Sequence, residues 1–388
     1  MRSDLIRISI GGDLLLLREE LEAVRVKHGR LDFAEYLSGL RPLFSGSDYS
    51  IANLETPIAP SQSLTEQAIS FNSPVEFLKA VKDVGFDFLS TANNHCLDRG
   101  IDGLNETILQ LDGMGIAHDG TFAKREDSER VYVAEIGEGR LRAAIICCTF
   151  GTNSQVNGEM LPLGEEWKVA LTKRQVKFRK LPAAADLSNG NFRTYIADET
   201  SPAAIDNSAN TVYMERILDK VRRAKGLADL VVVMPHVGGQ YNPGPAAYAK
   251  YVVEEIRKAG ADIIVAGHSH TPQRMEFRNG CLICYSLGNL CFTPGVGFYV
   301  PNVLSDYGIV LHLYVNAQKK RVERMGFNVI KNVVDEDGCA RALPVEVVLE
   351  RETNVACHDR ILMEYEAVAD RFRGGVATIG SKLNKTLV

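Results

Sequence analysis

Six positions in this chain carry side chains that bind transition metals, and they share one placement. The clearest case is Gly267-His268-Ser269-His270, directly behind the apolar run Asp262-Ile-Ile-Val-Ala. In extended or tightly turned backbone, residues i and i+2 point to the same side, so both imidazoles can converge on one place. Neutral imidazole is the commonest side-chain ligand for such metals. A His-x-His alone fits a surface turn equally well. The other members are Asp13, Glu55, Asn94 (followed by His95) and His236, each just past a stretch that reads as a strand.

Taken singly, each has a plain alternative. Asp13 follows Gly11-Gly12 and suits a turn. Glu55 suits the acid at a helix start, Asn94-His95 a capped turn, and His236 a lone satisfied histidine. Five clusters all at strand ends are harder to explain that way. In α/β folds the strand C-terminal ends gather at one edge, and ligand sites form there. Three histidines, an aspartate, a glutamate and a carboxamide give mixed N/O ligation. That suits Mn, Fe or Zn better than a thiolate zinc centre or an all-oxygen calcium site. Six ligands are too many for one tetrahedral zinc with an open position. They suit two ions bridged by a carboxylate at about 3.5–4 Å, an arrangement that polarises a phosphoryl oxygen and acidifies a bridging water.

The elements that must position these residues follow from hydrophobic spacing. Strands are expected at 5–10, 48–53, 86–90, 130–136, 141–148, 230–234 and 262–266. The spacing predicts helices over 31–44, from Ser73-Pro74 to Gly85, over 103–112, 212–224 and 245–259. After His270 come strands at 273–278, 281–286, 307–315 and 322–331. An amphipathic C-terminal helix carries Ile361, Leu362, Tyr365, Val368 and Phe372. Residues 151–210 are rich in Asn, Ser, Gly, Pro and Ala and lack a sustained period. They read as a long insertion over a scaffold edge, a candidate lid. Helix–strand alternation with a β-rich later part implies an α/β domain with more than one sheet, over 1–335, and a helical extension over 336–388.

Composition sets the outer bounds. The 388 residues are enough for one large or two ordinary domains. Hydrophobic residues at 45% and charged ones at 24% are ordinary for a soluble globular protein. A net charge of -5 argues against a nucleic-acid partner. It admits a small anionic substrate only where a metal or a local basic cluster receives it. No run approaches the length of a membrane span. The first residues hold no apolar segment of signal-peptide length, so export is not expected. The eight cysteines follow no disulfide-scaffold spacing, and Cys147-Cys148 sit in an apolar run. Together these features predict a reduced, cytoplasmic setting. Cys281-x-x-Cys284 lies in a strand-like run without a second pair, so a zinc or redox role is not expected.

In order along the chain stand Gly12-Asp13, Asn53-Leu54-Glu55-Thr56-Pro57, Ala92-Asn93-Asn94-His95 with Asp98-Arg99-Gly100, Pro235-His236-Val237-Gly238 with Tyr241, Gly267-His268-Ser269-His270, and Tyr285-Ser286-Leu287-Gly288-Asn289. Their succession, from about residue 6 to 293, resembles the CapA family. These are capsule or poly-γ-glutamate biosynthesis proteins of the calcineurin-like metallophosphoesterase superfamily. The resemblance implies two packed β-sheets flanked by helices, with a dinuclear site at one edge. It implies Asp13 and His270 on one metal, Asn94, His236 and His268 on the other, and Glu55 bridging where the wider superfamily uses aspartate. His95 becomes the non-ligand histidine that protonates a leaving oxygen. Asp98 either orients that imidazole or caps the helix before Gly100-Ile101. Arg99 either meets an anionic group or is a solvated turn arginine. Asn53, Tyr241 and Asn289 are further candidates for substrate contact, with second-shell bonding open for Asn53 and turn-shaping for Asn289.

Two positions depart from the superfamily pattern. Leu15 stands where a histidine normally follows the first aspartate by two residues, leaving one metal position a ligand short. Val237 follows His236 where the CapA family commonly shows Trp. The expected activity is that of a metal-dependent hydrolase acting on a phosphoester. Two alternatives stay open: modification of a peptide or γ-glutamyl polymer in the same pocket, and a non-catalytic partnership with a polymer synthase.

Overall fold

The structure is a computed structural model that describes residues 4–28, 33–65, 70–154, 157–175, 208–292, 303–336 and 338–374. Its first sheet holds β1 (Leu5–Leu14), β2 (Tyr49–Leu54), β3 (Phe88–Ser90) and β4 (Ala117–Asp119), all parallel. The second sheet is built on β5 (Tyr132–Ile136), β6 (Leu141–Thr149), β7 (Leu230–His236), β8 (Ile263–Val265), β9 (Met275–Arg278) and β10 (Cys281–Cys284), in the order β5-β6-β7-β8-β10-β9. The chain then returns to the first sheet with β11 (Asn289–Cys291), β12 (Tyr307–Asn316), β13 (Arg321–Val334) and β14 (Ala340–Pro344). That sheet runs β14-β13-β12-β1-β2-β3-β4, and β11 pairs with β1.

Period-two alternation decides which side each strand residue takes. Ile6, Ile8 and Ile10 of β1 face Ala143, Ile145 and Cys147 of β6 and Val232 and Met234 of β7 across the space between the sheets. The alternate residues Ala144, Ile146, Cys148, Val231 and Val233 lie under helices Ser208–Ala224 and Ala247–Ala259. On the far side, Ala52, Leu54 and Leu89 pack under Phe77, Leu78 and Val81 of helix Val75–Val84. The layers are therefore helix, sheet, sheet, helix, the order that the sequence resemblance implied. No described helix is long and apolar enough to cross a membrane.

Several elements differ from the sequence expectation. The helix expected at 31–44 is three short turns, Ala34–Leu37, Ser38–Leu40 and Arg41–Phe44, and a helix at Arg18–His28 precedes them. Strands β4, β11 and β14 are short additions that spacing did not reveal. The segment from 336 opens with a strand of the first sheet before helices Val345–Arg351 and Val355–Arg373. Ile361, Tyr365, Val368 and Phe372 pack into the core between the sheets. Of the expected insertion, residues 155–156 and 176–207 lie outside the described residues. Its first part lies on the scaffold, with Thr121 bridged to Val169 and Thr149 to Leu171. All eight cysteines are unpaired, and Cys281 and Cys284 are buried in β10.

Candidate metal centre

The two sheets present the C-terminal ends of β1, β2, β3, β7 and β8 at the same edge, and the chemistry-bearing side chains meet there. Asp13 lies inside β1, not in a turn. Its Cα pairs with Asn289 of β11 on one side and Asn53 of β2 on the other, so three site residues form one row across the sheet. Gly12 permits this crossing, because any side chain there would collide with the Gly288 carbonyl. His236 is the last residue of β7, and it bridges to Gly267 beyond β8. Gly267 allows a close approach: a Cβ there would lie 3.1 Å from Asp13 Oδ1 and 3.2 Å from His236 Nδ1, so either side chain would have to give way slightly.

His268 and His270 both adopt positive φ, 88° and 52°, as does Tyr241 at 54°. Non-glycine residues hold such backbone at a cost of about 1–3 kcal/mol each, and they cluster at functional sites. The strain is supported locally, since the Tyr241 backbone N–H donates to the Ser269 carbonyl at 2.7 Å.

Two ligand groups share Glu55. Donor atoms of Glu55, His236 and His268 all lie within 4.8 Å of one another, as do those of Asp13, Glu55 and His270. Around His236 Nε2 stand Asn94 Oδ1 at 2.8 Å, His268 Nδ1 at 3.2 Å and Glu55 Oε1 at 3.2 Å. On the other side, His270 Nε2 lies 3.6 Å from Glu55 Oε1, and His270 Nδ1 lies 3.8 Å from Asp13 Oδ2. Asp13 Oδ2 and both Glu55 oxygens are buried and accept no hydrogen bond of good geometry from the described residues. Buried carboxylate oxygens are ordinarily satisfied. Three such lone-pair sites facing imidazoles and a carboxamide oxygen fit one or two divalent transition metals.

The electrostatics separate the two carboxylates. Asp13 is pushed up to about 6, first by burial and then by the charge of Glu55. Burial also acts to raise Glu55, but His236 and His270 outweigh it and hold this group below the usual carboxylate range. Burial acts to lower His236, yet Glu55 wins and raises it. His268 is driven well down by burial, with His236 adding to the effect.

Hydrogen bonds from neighbouring side chains hold the candidate ligands. Asn53 is buried and donates to Asp13 Oδ1 at 2.8 Å, with its amide nitrogen 3.3 Å from His236 Nδ1. Asn289 Oδ1 accepts from His270 Nδ1 at 2.9 Å, while its amide donates to the His270 and Ser305 carbonyls. That bond leaves His270 Nε2 directed at Glu55. The Tyr241 ring lies 5.8 Å from the His270 ring, and Phe150 lies 4.7 Å from that of His268.

His95 and Asp98 form a buried dyad beside Asn94. Asp98 Oδ2 accepts from His95 Nδ1 at 2.6 Å and from the Phe71 backbone N–H at 2.7 Å. The Phe71 ring stacks on the imidazole at 3.9 Å. Asp98 is thus bonded to the His95 imidazole, and no side-chain cap is seen on the helix Gly100–Gly113. Arg99 donates to the Ser63 and Asp98 carbonyls and to Ser70. Leu15 packs with Leu17, Phe71 and Phe292, so the position where a histidine was expected belongs to a small apolar cluster.

Two residues of the 151–175 stretch escaped the sequence reading. Asn153 lies between Asn94 and His95, and the Asn157 amide donates to Asp98 Oδ1 at 3.0 Å. The signal was present: both follow the end of β6, which pairs with β7 through Thr149 and His236.

A two-sheet α/β protein with convergent N/O ligands at one strand-end edge is thereby defined. The profile of the bacterial capsule synthesis protein family, PGA_cap, matches residues 7–294, and the chain belongs to that family. It is 25% identical over 298 residues to the PGA biosynthesis protein CapA of Bacillus subtilis, covering 75% of this chain and 64% of that protein. It is also 25% identical to the capsule biosynthesis protein CapA of Bacillus anthracis, covering 75% and 60%. The chain thus spans less than two thirds of the length of either relative. A probable polyglutamine synthesis accessory protein of Mycobacterium tuberculosis is 23% identical, covering 74% of each chain. Among solved structures, a novel phosphatase from Mycoplasma pneumoniae is 13% identical with a TM-score of 0.44, covering 84% of this chain and 94% of that one. Likeness at that level says nothing about activity.

Proposed function

We propose that the chain is a metal-dependent hydrolase that cleaves a phosphoester with activated water. The observation that carries this reading is the pair of candidate ligand groups sharing Glu55, whose buried oxygens accept no hydrogen bond of good geometry from the described residues. Asn94, His236 and His268 would hold one ion of Mn, Fe or Zn, Asp13 and His270 a second, with Glu55 between them. When bound, such ions supply Lewis-acid polarisation of a phosphoryl oxygen and acidification of water. The remaining work falls to the chain itself. His95 Nε2 delivers a proton to the leaving oxygen, while Asp98 and the Phe71 ring hold the imidazole in place. Tyr241 flanks the substrate from the His270 side, and Arg99 ties Ser63 and Ser70 close to the dyad.

The experiment is metal analysis joined to a substrate panel. Purified protein reconstituted with Mn should carry one to two ions and hydrolyse an aryl phosphodiester or monoester. Absence of bound metal, or activity untouched in both His95→Ala and His236→Ala, would sink the proposal.

The names of the relatives favour a second reading, in which the same pocket acts on a γ-glutamyl or peptide chain or serves a polymer synthase without catalysis. A mass change on incubation with γ-glutamyl peptide, with phosphoesters inert, would select the first form. Full partner function in His95→Ala would select the second. A cytoplasmic setting belongs to the same proposal, and cell fractionation tests it.

A further inference from the structure

Asn153 belongs to a stretch whose sequence has no period, yet its side chain ends in the most constrained part of the site. Its Oδ1 accepts from Asn94 Nδ2 at 3.2 Å. Its own amide nitrogen faces His95 Nε2 at 3.4 Å. These partners dictate an order of donors and acceptors. Because the Asn94 nitrogen is engaged by Asn153, its Oδ1 must turn the other way, toward His236 Nε2 at 2.8 Å. Because the Asp98 carboxylate accepts from His95 Nδ1, Nε2 is the edge that faces the Asn153 amide, which can donate to it only while Nε2 carries no proton.

The backbone holds Asn153 for this purpose. Its φ is 52°, a left-handed conformation that asparagine tolerates better than most residues. The Asn153 carbonyl accepts from the Asn157 backbone N–H at 2.9 Å. The Asn157 amide in turn donates to Asp98 Oδ1 at 3.0 Å and to the Thr152 carbonyl at 3.2 Å. Asn153 and Asn157, both beyond β6, therefore contact Asn94, His95 and Asp98 together.

We propose that Asn153 is a positioning residue: it fixes the carboxamide of Asn94 with its oxygen toward the His236–His268 ligand group and sets the place of the His95 Nε2 edge. The inference rests on the metal-centre reading above. It assigns the asparagine-rich turn to the site itself, where sequence alone placed it in an insertion. Truncation frees the Asn94 amide to rotate, and either its oxygen or its nitrogen can then face the ligand group. Only the oxygen is a metal ligand.

The test compares wild type with Asn153→Ala, Asn153→Gly and Asn153→Asp, each titrated with Mn in the metal-free state by calorimetry. Asn153→Gly keeps the left-handed backbone without the side chain, so it serves if the alanine variant folds poorly. Asn153→Asp keeps an acceptor for the Asn94 amide. The alanine and glycine variants should bind the ion of the Asn94 group about 10–100-fold more weakly, the range typical of lost second-shell partners. Asn153→Asp should stay within a few-fold of wild type for that ion. Melting temperatures of the metal-free glycine variant and wild type should coincide. On an aryl phosphodiester at saturating Mn, Asn153→Asp should lower kcat more than it changes KM, because the amide beside His95 is gone. Wild-type Mn affinity in Asn153→Gly, or equal loss in Asn153→Asp and Asn153→Gly, overturns the inference. Failure of wild type itself to bind Mn overturns the reading beneath it instead.

Discussion

The two ligand groups that share Glu55 are unequal, and their difference is instructive. On one side, His236 Nε2 has a carboxamide oxygen, an imidazole nitrogen and a carboxylate oxygen all within 3.2 Å. On the other, His270 lies 3.6 Å from Glu55 and 3.8 Å from Asp13. The richer side draws on a loop after β3, on β7 and on the turn after β8. The poorer side has an apolar cluster around Leu15 where a further imidazole could have stood. A carboxylate pushed up to about 6 marks it as the side whose charge the protein alone does not settle. Equal placement at strand ends has thus produced unequal sites. Neighbouring residues, more than the ligands themselves, make the difference.

The largest expected effect comes from breaking the richer side. His236→Ala should reduce Mn affinity there by at least about a hundredfold, beyond the usual second-shell loss, read by calorimetry and elemental analysis. Asp98→Asn touches neither group directly. It should lower kcat by roughly 10²–10⁴, the usual scale for a positioned acid, with bound metal unchanged. His270→Ala sharpens the contrast: bound metal should fall by one ion if two are held, and stay the same if the poorer side is empty. Leu15→Ala tests whether the apolar cluster is structural; it should cost about 2–5 kcal/mol in denaturant unfolding of metal-free protein. The smallest effect lies away from the site and provides a control. Burial, aided by Arg7, lowers His312 to about 4. Its folded value is below its unfolded one, so its contribution is complete above about pH 6.5 and is lost as pH falls toward 4. His312→Gln should flatten the melting-temperature slope in that window and leave Mn binding as it was.

The clustering was legible because the candidate ligands are histidines and carboxylates directly behind long apolar runs. Asp262-Ile-Ile-Val-Ala before His268 reads as a buried strand by composition alone. Strands of three residues such as β4 and β11 are too brief for periodicity, and their place is set by neighbours already paired. The helix at Arg18–His28 has a weak apolar face, whereas the expected 31–44 helix had good spacing but is divided into short turns. The contact of Asn53 with Asp13 was one of two readings left open, and that of Asn289 with His270 was not foreseen, for another reason. Whether an asparagine meets substrate or holds a ligand depends on which strand lies beside it, and the register that places both next to Asp13 joins residues 40 and 276 positions apart. Asn153 was hidden by the company it keeps, a polar stretch that reads as loop.

The ligands also divide by sheet. Asp13, Glu55 and Asn94 are carried by the first sheet and its loops, and His236, His268 and His270 by the second. An ion held among them is a rivet through both layers at one rim. Its binding then adds to the free energy of parting the two sheets, by an amount that grows with free metal. Amide exchange in β1–β3 and in β7–β8 should slow in step as metal is added, because neither layer can open at that rim without breaking the same joint.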